Sequence, residues 1–265
     1  MSKEICAAEA RVRAAFEGGK AFMPFVTCGD PDLETTERLV LAMAQAGADL
    51  IELGIPFSDP MAEGPVIQAA DTRALASGTT TEAVFELVGR LRKKTDVPFA
   101  FMTYANVVYS QGISAFVQRM VQAGVEALIL PDVPFEEREE FAGPCREAGV
   151  VLVSMVAPTS HERIRAIAER AEGFVYCVSS LGVTGVRGEI TTDVAAMVAL
   201  VKEARPDIPC AIGFGISTPE QARTMAQAAD GVIVGSAIVR KVGELGRACV
   251  DPVVAYVHEM KAALG

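Results

Sequence analysis

Three stretches of the chain repeat one pattern: QAGADLIELG at 45–54, QAGVEALILPD at 122–132 and EAGVVLVSMV at 147–156. In each stretch a glycine follows a segment with helical spacing and precedes a short run rich in Val, Ile and Leu. Glycine adopts the left-handed conformation that ends many helices, and a short apolar run is typical of a strand buried on both faces. The pattern therefore predicts a helix, a turn and a buried parallel strand, repeated along the chain.

Eight such apolar runs are spaced along the 265 residues. They are AFMPFVT (21–27), DLIELG (49–54), PFAFMTY (98–104), ALILPD (127–132), VVLVSMV (150–156), FVYCVSS (174–180), PCAIGFG (209–215) and GVIVGS (231–236). Helical stretches separate them, and no linker divides the chain. Eight βα units in a chain of this length predict a single-domain (β/α)8 barrel, an α/β fold, over residues 1–265. An open doubly wound sheet is the alternative, but no GxGxxG follows the first strand.

Capping residues and apolar faces predict where the connecting helices lie. Side chains suited to helix N-caps are Asp32, Ser114, Ser160, Thr192 and Thr218. Glycines that follow predicted helix ends are Gly47, Gly124 and Gly149. Two predicted helices have clear apolar faces. The face of 33–47 consists of Leu39, Ala42, Met43 and Ala46, and the face of 113–123 consists of Phe116, Val117, Met120 and Val121.

Composition limits the possible partners and the cellular compartment. The formal net charge of −10 disfavours binding to nucleic acid or to an anionic membrane. The six cysteines form no CxxC pair, which disfavours a zinc site or a disulfide framework and favours free thiols in a reducing compartment. No apolar run is long enough to span a bilayer, and the charged N-terminus lacks the apolar core of a signal peptide. We therefore expect a cytoplasmic protein without a metal site.

The chemistry of a barrel lies at the carboxyl ends of its strands, where Glu52 is the most informative residue. Glu52 lies between Ile51 and Leu53 in the second apolar run, so its side chain points either into the barrel or toward the helices. A buried carboxylate needs a partner or holds a proton at a raised pKa. Glu52 is thus either a structural residue held by a salt bridge or a general acid–base at the barrel mouth.

Other polar residues follow the strands. Glu63 lies in a loop rich in Pro and Gly, where it is either a solvated loop residue or a second carboxylate that divides acid and base roles with Glu52. Asp59 of the same loop has turn chemistry as its simpler explanation. Tyr104, Asp132 and Tyr176 also lie at strand ends, although a tyrosine there more often packs than reacts.

Glycine-rich loops follow the last three strands: SSLGVTGVRGEITTD (179–193), GFGIST (213–218) and VGSAIV (234–239). The first is suited to a mobile loop that closes over a ligand. In the third, Gly235 and Ser236 open a predicted helix. Loops after the seventh and eighth strands, together with a helix N-terminus, form the usual phosphate site of a barrel enzyme. These loops predict a phosphorylated small molecule as ligand.

The motifs, taken in order, resemble those of the tryptophan synthase α subunit family over nearly the whole chain. They are PFVTCGDPD (24–32), ELGIPFSDPMAEGP (52–65), MTYANVVYSQG (102–112), PDVPFEE (131–137), GVTG (182–185), GFGIS (213–217) and VGSAI (234–238). The resemblance implies a barrel with extra helices, the first of them over 2–17. It also implies a lyase that splits indole-3-glycerol phosphate into indole and glyceraldehyde 3-phosphate.

The resemblance assigns roles to individual residues. Glu52 matches the acid–base that protonates indole C3 and deprotonates the glycerol hydroxyl, and Glu63 matches the carboxylate that binds the indole N–H. Thr184 matches a loop residue that hydrogen-bonds this second carboxylate. The remaining matches are the phosphate residues Gly185, Gly215, Gly235 and Ser236, the apolar walls Phe22 and Phe214, and the substrate-side tyrosines Tyr104 and Tyr176.

One residue departs from the family's pattern. The second carboxylate is commonly Asp in "ADGP", whereas this chain has Glu63 in "AEGP". The charge is kept but the side chain is one methylene longer, and a small misplacement of a catalytic group can cost about a hundredfold in rate. Either the loop shifts to absorb the extra length, or the orientation of the carboxylate suffers.

The resemblance further implies a pyridoxal-phosphate-dependent β subunit, which receives indole through a tunnel in an α2β2 heterotetramer. The loops that hold Asp59 and residues 179–193, and Asp132, would then contact the partner or relay its state. We expect no cofactor in this chain itself. The alternatives are a standalone lyase that releases indole, a barrel that keeps only a binding role for its partner, and an unrelated phosphate-binding isomerase.

Overall fold

The protein is described here by a computed structural model, which covers residues 5–178, 194–213 and 215–265. Its strands are β1 (Ala21–Thr27), β2 (Ile51–Gly54), β3 (Phe99–Met102), β4 (Ala127–Ile129), β5 (Val151–Leu152), β6 (Ser154–Val156), β7 (Val175–Val178), β8 (Cys210–Gly213) and β9 (Gly231–Val234). Each lies within one of the eight predicted apolar runs. The fifth run is divided into β5 and β6.

The strands form one parallel sheet in the order β5-β4-β3-β2-β1-β9-β8-β7-β6. Its two ends, β5 and β6, are separated along the chain by Val153 alone. Because the two ends are consecutive pieces of one run, the sheet closes on itself. The fold is therefore the predicted (β/α)8 barrel, with its fifth strand interrupted where it changes neighbours.

Twelve α-helices surround the described part of the barrel. They are α1 (Ala7–Ala14), α2 (Leu33–Gln45), α3 (Pro65–Ala76), α4 (Thr81–Arg92), α5 (Ala105–Gln111), α6 (Ile113–Ala123), α7 (Glu139–Ala148), α8 (His161–Glu169), α9 (Val194–Ala204), α10 (Pro219–Ala226), α11 (Ser236–Leu245) and α12 (Val250–Ala262), with a 3-10 turn at Gly246–Ala248. The N-terminal helix expected over 2–17 is the shorter α1. Of the helices described, none has the length and apolarity to cross a membrane.

Three predicted N-caps are confirmed by their hydrogen bonds. Asp32 accepts from the backbone N–H of Thr35 at 2.7 Å, and the hydroxyls of Ser160 and Thr218 cap α8 and α10 in the same way. Gly124 and Gly149 end α6 and α7 in the left-handed conformation, and Gly47 follows the end of α2 with a positive φ. The predicted cap Thr192 lies outside the described residues.

Two details of α6 were predicted wrongly. Ser114 is not its N-cap, because Gly112 ends α5 with a φ of 79° and leads directly into α6 at Ile113. Ser114 therefore lies inside the first turn. Val121 is 45% exposed, since the buried face of α6 consists of Phe116, Val117, Met120 and Ala123.

Alternation along the strands divides the core into two layers. In β1, Ala21, Met23 and Phe25 belong to the apolar cluster inside the barrel, whereas Phe22 and Val26 belong to the cluster between the strands and the helices. This period of two is the property of a strand that is buried on both faces. It decides which side chains can reach the barrel interior.

The N-terminal helix closes the bottom of the barrel. Val12 of α1 is fully buried in the inner cluster, and Phe16 packs on Phe174 with ring centroids 5.7 Å apart. The Glu9 carboxylate accepts from the backbone N–H of Gly173 and from Arg13 at 3.0 Å. With this end filled, a substrate can enter only at the opposite, carboxyl end of the strands.

Candidate active site

Glu52 points into the barrel. The parallel register places it between Phe25 of β1 and Ala100 of β3, both members of the inner cluster. Its chain neighbours Ile51 and Leu53 belong to the outer cluster. Side chains at matching positions of adjacent strands share a face, so the direction that the sequence left open is inward.

The surroundings of Glu52 favour its protonated form. The residue is completely buried, and neither carboxylate oxygen has a hydrogen-bond partner among the described groups. Burial raises the pKa of Glu52 to about 8, and the negative charge of Glu63 contributes to the rise. Within the described part of the chain no cation pairs with Glu52, so the alternative of a carboxylate held by a structural salt bridge is not supported there. A proton held at neutral pH is what a general acid requires.

Glu63 is brought to the same end of the barrel by residues 55–64, which we call the site loop. It is only 4% exposed and is therefore not a solvated loop residue. Gln68 of α3 donates to its backbone carbonyl at 2.8 Å, which fixes the end of the loop. The charge of Glu63 raises the pKa of Glu52, Tyr104 and Tyr176, which places all four groups in one electrostatic cluster.

Tyr104 fastens the site loop to the end of β3. Its hydroxyl accepts from the backbone N–H of Ala62 at 3.0 Å, one residue before Glu63. Its ring stacks on Phe57 of the same loop, with centroids 5.3 Å apart. The tyrosine that the sequence placed near the substrate therefore holds the loop that carries the second carboxylate.

Tyr176 lies inside the barrel, close to Glu52. Burial, and then the charges of Glu52 and Glu63, raise its pKa well above the ordinary value, so its hydroxyl keeps its proton. The ring covers Gly213 of β8 so closely that a Cβ on that glycine would lie 2.5 Å from the Tyr176 hydroxyl. The absence of a side chain at Gly213 is therefore a condition for this position of Tyr176.

The aromatic wall on β1 is Phe25, and the assignment of Phe22 to that wall was wrong. Phe22 is fully buried in the outer cluster, between the barrel and its helices, because it has the opposite parity to Phe25 in the strand. Phe25 lies in the inner cluster, and its ring is 2.6 Å from where a Cβ on Gly54 would be. The signal in the sequence was position, since Phe25 is the aromatic nearer the carboxyl end of its run.

The predicted phosphate residues are partly described. Gly235 is the N-cap of α11 and Ser236 its first residue, and no side chain of the described residues caps this helix end. The first N–H groups of a helix have no partner within it, which suits them to an anion. Gly215 has a φ of 80° after β8, a conformation that favours glycine. Thr184, Gly185 and Phe214 lie outside the described residues.

Asp59 and Asp132 are exposed side chains at the same end of the barrel. Asp132 accepts from the backbone N–H of Ala105 at 3.1 and 3.0 Å and so caps the start of α5. Asp59 accepts from the hydroxyl of Ser58 at 2.6 Å. Both have local structural partners, which the sequence indicated for Asp59 as turn chemistry but not for Asp132.

Sequence reasoning missed Asp71, an acid on the buried face of α3. It is 6% exposed, and the other buried residues of that helix are Ile67, Ala70 and Ala74. Burial and then the charge of Glu63 raise the pKa of Asp71 to about 8. Asp71 and Glu63 line the same small cavity with Phe25 and Tyr104. The sequence signal that could have identified Asp71 is its position, since it is an aspartate on the apolar face of the helix that follows the site loop.

The arrangement supports proton transfer by side chains. Among the described residues no group of three His, Cys, Asp or Glu is placed to hold a metal ion. What the geometry does provide is a buried acid, a second carboxylate, a tyrosine that keeps its proton and an uncapped helix end. Such a set can move protons on an apolar molecule that carries a phosphate.

Comparisons with known proteins give the family. A family model described as tryptophan synthase alpha chain matches residues 12–264. The chain belongs to the tryptophan synthase α-chain family. A tryptophan synthase alpha chain of Lactiplantibacillus plantarum is 53% identical over 225 residues, which are 84% of this chain and 85% of that protein. The family's α reaction, cleavage of indole-3-glycerol phosphate to indole and D-glyceraldehyde 3-phosphate, is therefore the lyase reaction of this chain.

Solved structures of the family have the same barrel. The tryptophan synthase α subunit of Legionella pneumophila str. Paris superposes with a TM-score of 0.87 at 35% identity and covers 98% of this chain and 99% of that one. A chain described with the tryptophan synthase α2β2 complex of Pyrococcus furiosus has a TM-score of 0.85 at 34% identity, over 92% and 98% of the two chains.

Proposed function

We propose that Glu52 is the acid–base of indole-3-glycerol phosphate cleavage in this chain and that Glu63 is its companion carboxylate. The observation that carries the proposal is the fully buried Glu52 carboxyl, which faces the barrel interior without a hydrogen-bond partner among the described groups. Such a group is costly to the fold, since burial disfavours its charged form. Its use in proton transfer explains why it is there.

The reaction needs two proton transfers around one broken bond. Protonated Glu52 gives its proton to indole C3, and the ring nitrogen takes up the positive charge. The carboxylate so formed then removes the proton of the adjacent glycerol hydroxyl. The electron pair of the C–C bond returns to the ring as neutral indole, and the hydroxyl carbon becomes the aldehyde of glyceraldehyde 3-phosphate. Glu52 ends protonated, so it is ready for another turnover.

Glu63 would stabilise the charge that develops on the ring. A carboxylate that accepts from the indole N–H interacts more strongly with the cationic ring than with the neutral one. The fixed position of Glu63, which is held through Gln68 and the Tyr104-bound site loop, supports this role. Tyr176 would orient Glu52 or the substrate from the opposite wall.

The substrate would be bound at both of its ends. Phe25 faces the interior next to Gly54 and Gly235, where a planar apolar ring can pack. The phosphate would bind at the start of α11, with Gly235 and Ser236, and at Gly215. Thr184, Gly185 and Phe214 would complete the site in the manner that the family resemblance implies.

We also propose that the chain works in an α2β2 assembly with a pyridoxal-phosphate-dependent β subunit and carries no cofactor itself. The Pyrococcus furiosus complex is described as an α2β2 assembly, which supports this partner. Asp59 and Asp132 are exposed at the mouth of the barrel, where a partner that receives indole would dock. We further propose that residues 1–265 form a single domain and that the protein is cytoplasmic. Its six free cysteines, five of them buried, support a reducing compartment.

An indole-release assay on the purified chain, with and without the β subunit, tests this function. We expect slow release from the chain alone and faster release with the partner. Equal and rapid release in both cases would indicate a standalone lyase. No release in either case, with the partner's own reaction still stimulated, would indicate a barrel that keeps only a binding role.

Glu63→Asp tests how the site loop accommodates the longer side chain. We expect kcat/KM to stay within about threefold of the wild type or to rise, because the charge is kept and the loop is fixed at Tyr104 and Gln68. Steady-state indole release measures it, and Glu63→Gln, which removes the charge, is the matched loss-of-function control. A fall of tenfold or more in Glu63→Asp would mean that this loop is built for glutamate.

Phe25→Leu and Phe22→Leu form a pair that tests the corrected wall. Phe25→Leu should raise KM about tenfold or more, because a flat ring surface inside the barrel is lost. Phe22→Leu should leave KM unchanged and lower the free energy of unfolding by about 1–2 kcal/mol, because it disturbs only the packing beneath the helices. Kinetics and thermal unfolding of both variants are the measurements. A rise of KM in Phe22→Leu but not in Phe25→Leu would indicate that Phe22, and not Phe25, contacts the substrate ring.

A further inference from the structure

Asp71 is a buried acid to which the reaction scheme assigns no step. It lies on the buried face of α3, is 6% exposed and accepts a hydrogen bond from the backbone N–H of Phe57 in the site loop. Phe57 is also the residue on which Tyr104 stacks. Asp71 is thus an attachment point for the loop that carries Glu63.

The same cavity holds Asp71 and Glu63. Its lining includes both acids, together with Ile67, Tyr104 and Phe25. A carboxyl in such surroundings is stabilised in its neutral form, since burial and a nearby negative charge both disfavour ionisation. Burial and then the charge of Glu63 raise the pKa of Asp71 most, and the charge of Asp30 adds to them, whereas the hydrogen bond from the Phe57 N–H favours the charged form and lowers this pKa.

No cation compensates Asp71 within the described residues. Arg73, two residues further along α3, is engaged with Asp30 through two hydrogen bonds of 2.8 and 2.7 Å. Tyr104 faces Asp71 from the end of β3 as a protonated hydroxyl. Helix α11 packs against α3 and contributes Arg240 and Glu244 to a groove that is lined by Arg73 and not by Asp71. Among the residues that the structure describes, the groups that face Asp71 are therefore acids or neutral.

We propose that Asp71 is a positioning residue for Glu63: it holds the site loop through Phe57, and when it ionises its charge repels Glu63 across the cavity that the two acids share. The inference rests on the proposed role of Glu63. Asp71 is then a second acid behind the one that faces the indole nitrogen, and the alkaline limit of the reaction depends on Asp71, which does not touch the substrate, as well as on Glu52.

Asp71→Asn tests the inference, because asparagine keeps the shape and the acceptor oxygen but cannot ionise. We expect kcat/KM of the variant within about twofold of the wild type at pH 6.5, and at least fivefold above it at pH 9, where an acid of pKa about 8 is mostly ionised. Glu52 titrates in both proteins, so its effect cancels in the ratio of kcat/KM of the variant to kcat/KM of the wild type. A ratio that stays constant with pH would overturn the proposal. So would a tenfold loss at pH 6.5, which would mean that the charged form is needed.

Asp71→Ala separates positioning from charge. It removes the acceptor for the Phe57 N–H, so we expect kcat to fall about tenfold or more at every pH, with a smaller change in KM. Equal activity of Asp71→Ala and Asp71→Asn would refute a positioning role. Asp251→Asn, at an exposed aspartate of α12, is the matched control and should keep a ratio of one across the range.

Thermal unfolding supplies a readout that does not depend on the reaction. Asp71 is neutral in the folded chain up to about pH 8 but ionises near 3.8 when unfolded, so the wild type loses stability as pH rises through that window. The Tm of Asp71→Asn should exceed that of the wild type at pH 9 and match it at pH 4. A Tm of Asp71→Asn below that of the wild type at pH 9 would contradict the claim that Asp71 is neutral in the folded chain. If Glu63→Gln kept full activity, Glu63's proposed role would fail while this measurement still tested Asp71.

Discussion

Glu52→Gln is expected to fold, bind indole-3-glycerol phosphate and lose cleavage by a factor of about a thousand or more. Proton transfer by a positioned side chain contributes about 10²–10⁴-fold in enzymes, and here one carboxyl performs two transfers. Glutamine has almost the same shape but neither gives nor takes a proton at C3. Single-turnover release of indole, together with substrate binding by calorimetry, separates loss of chemistry from loss of binding.

Glu52→Asp is the matched variant, since it keeps the acid but shortens its reach. It should retain more cleavage than Glu52→Gln and still fall well below the wild type. Turnover by Glu52→Gln within tenfold of the wild type would remove Glu52 as the acid–base and leave Glu63 as the candidate.

The pH dependence of stability provides a second test of Glu52. Its pKa is about 8 in the folded chain and near 4.5 in the unfolded chain, so the unfolded state releases a proton that the folded state keeps. Wild-type stability should therefore fall as pH rises from about 4.5 to about 8, and Glu52→Gln should make that part of the curve shallower, with the contribution of Asp71 remaining. In the same way, the wild-type rate should fall above about pH 8 as Glu52 loses the proton that C3 needs. Urea unfolding and kcat measured across this range check both effects.

Gly213→Ala is expected to cause the second large loss, of about 10- to 100-fold in kcat/KM. The new methyl group would lie 2.5 Å from the Tyr176 hydroxyl, and the ring is too deeply buried to turn away freely. Overpacking of this kind typically costs about 1–3 kcal/mol of stability, and a displaced Tyr176 would disturb Glu52 beside it.

Gly89→Ala is the control for this substitution. Gly89 is within α4, and apart from its own helix backbone no described atom lies within 4 Å of an added Cβ, so alanine there should keep activity and raise stability slightly. Kinetics and thermal unfolding of the two variants give the comparison. Wild-type kinetics in Gly213→Ala would show that the position of Tyr176 is not important for the reaction.

Local sequence was sufficient for the elements of the fold. The eight apolar runs became the barrel strands, because a short run of branched apolar residues is stable only where both faces of a strand are buried. The caps at Asp32, Ser160 and Thr218 formed as expected, since each depends on atoms within three residues. The errors at Ser114 and Val121 arose where a turn at Gly112 and the packing of α6 on its neighbours were decisive.

The candidate site was predictable as a set of residue types but not as a geometry. Motif order identified Glu52 and Glu63, yet the inward direction of Glu52 follows from its register with Phe25 and Ala100. The same register excluded Phe22 from the wall and put Phe25 there. A shift of one residue along a strand reverses the face, and motif matching does not measure that parity.

The sequence alone determined a barrel of eight βα units, the family of the chain and the carboxylate in its second strand, because each depends on short patterns read in order. The tertiary structure alone decided that Glu52 is fully buried and that Glu63 lies close enough to raise its pKa. It also decided that Asp71 lies in the cavity with Glu63. The physical reason is that burial and electrostatic coupling depend on distances between separate segments, and those distances exist only once the barrel has closed.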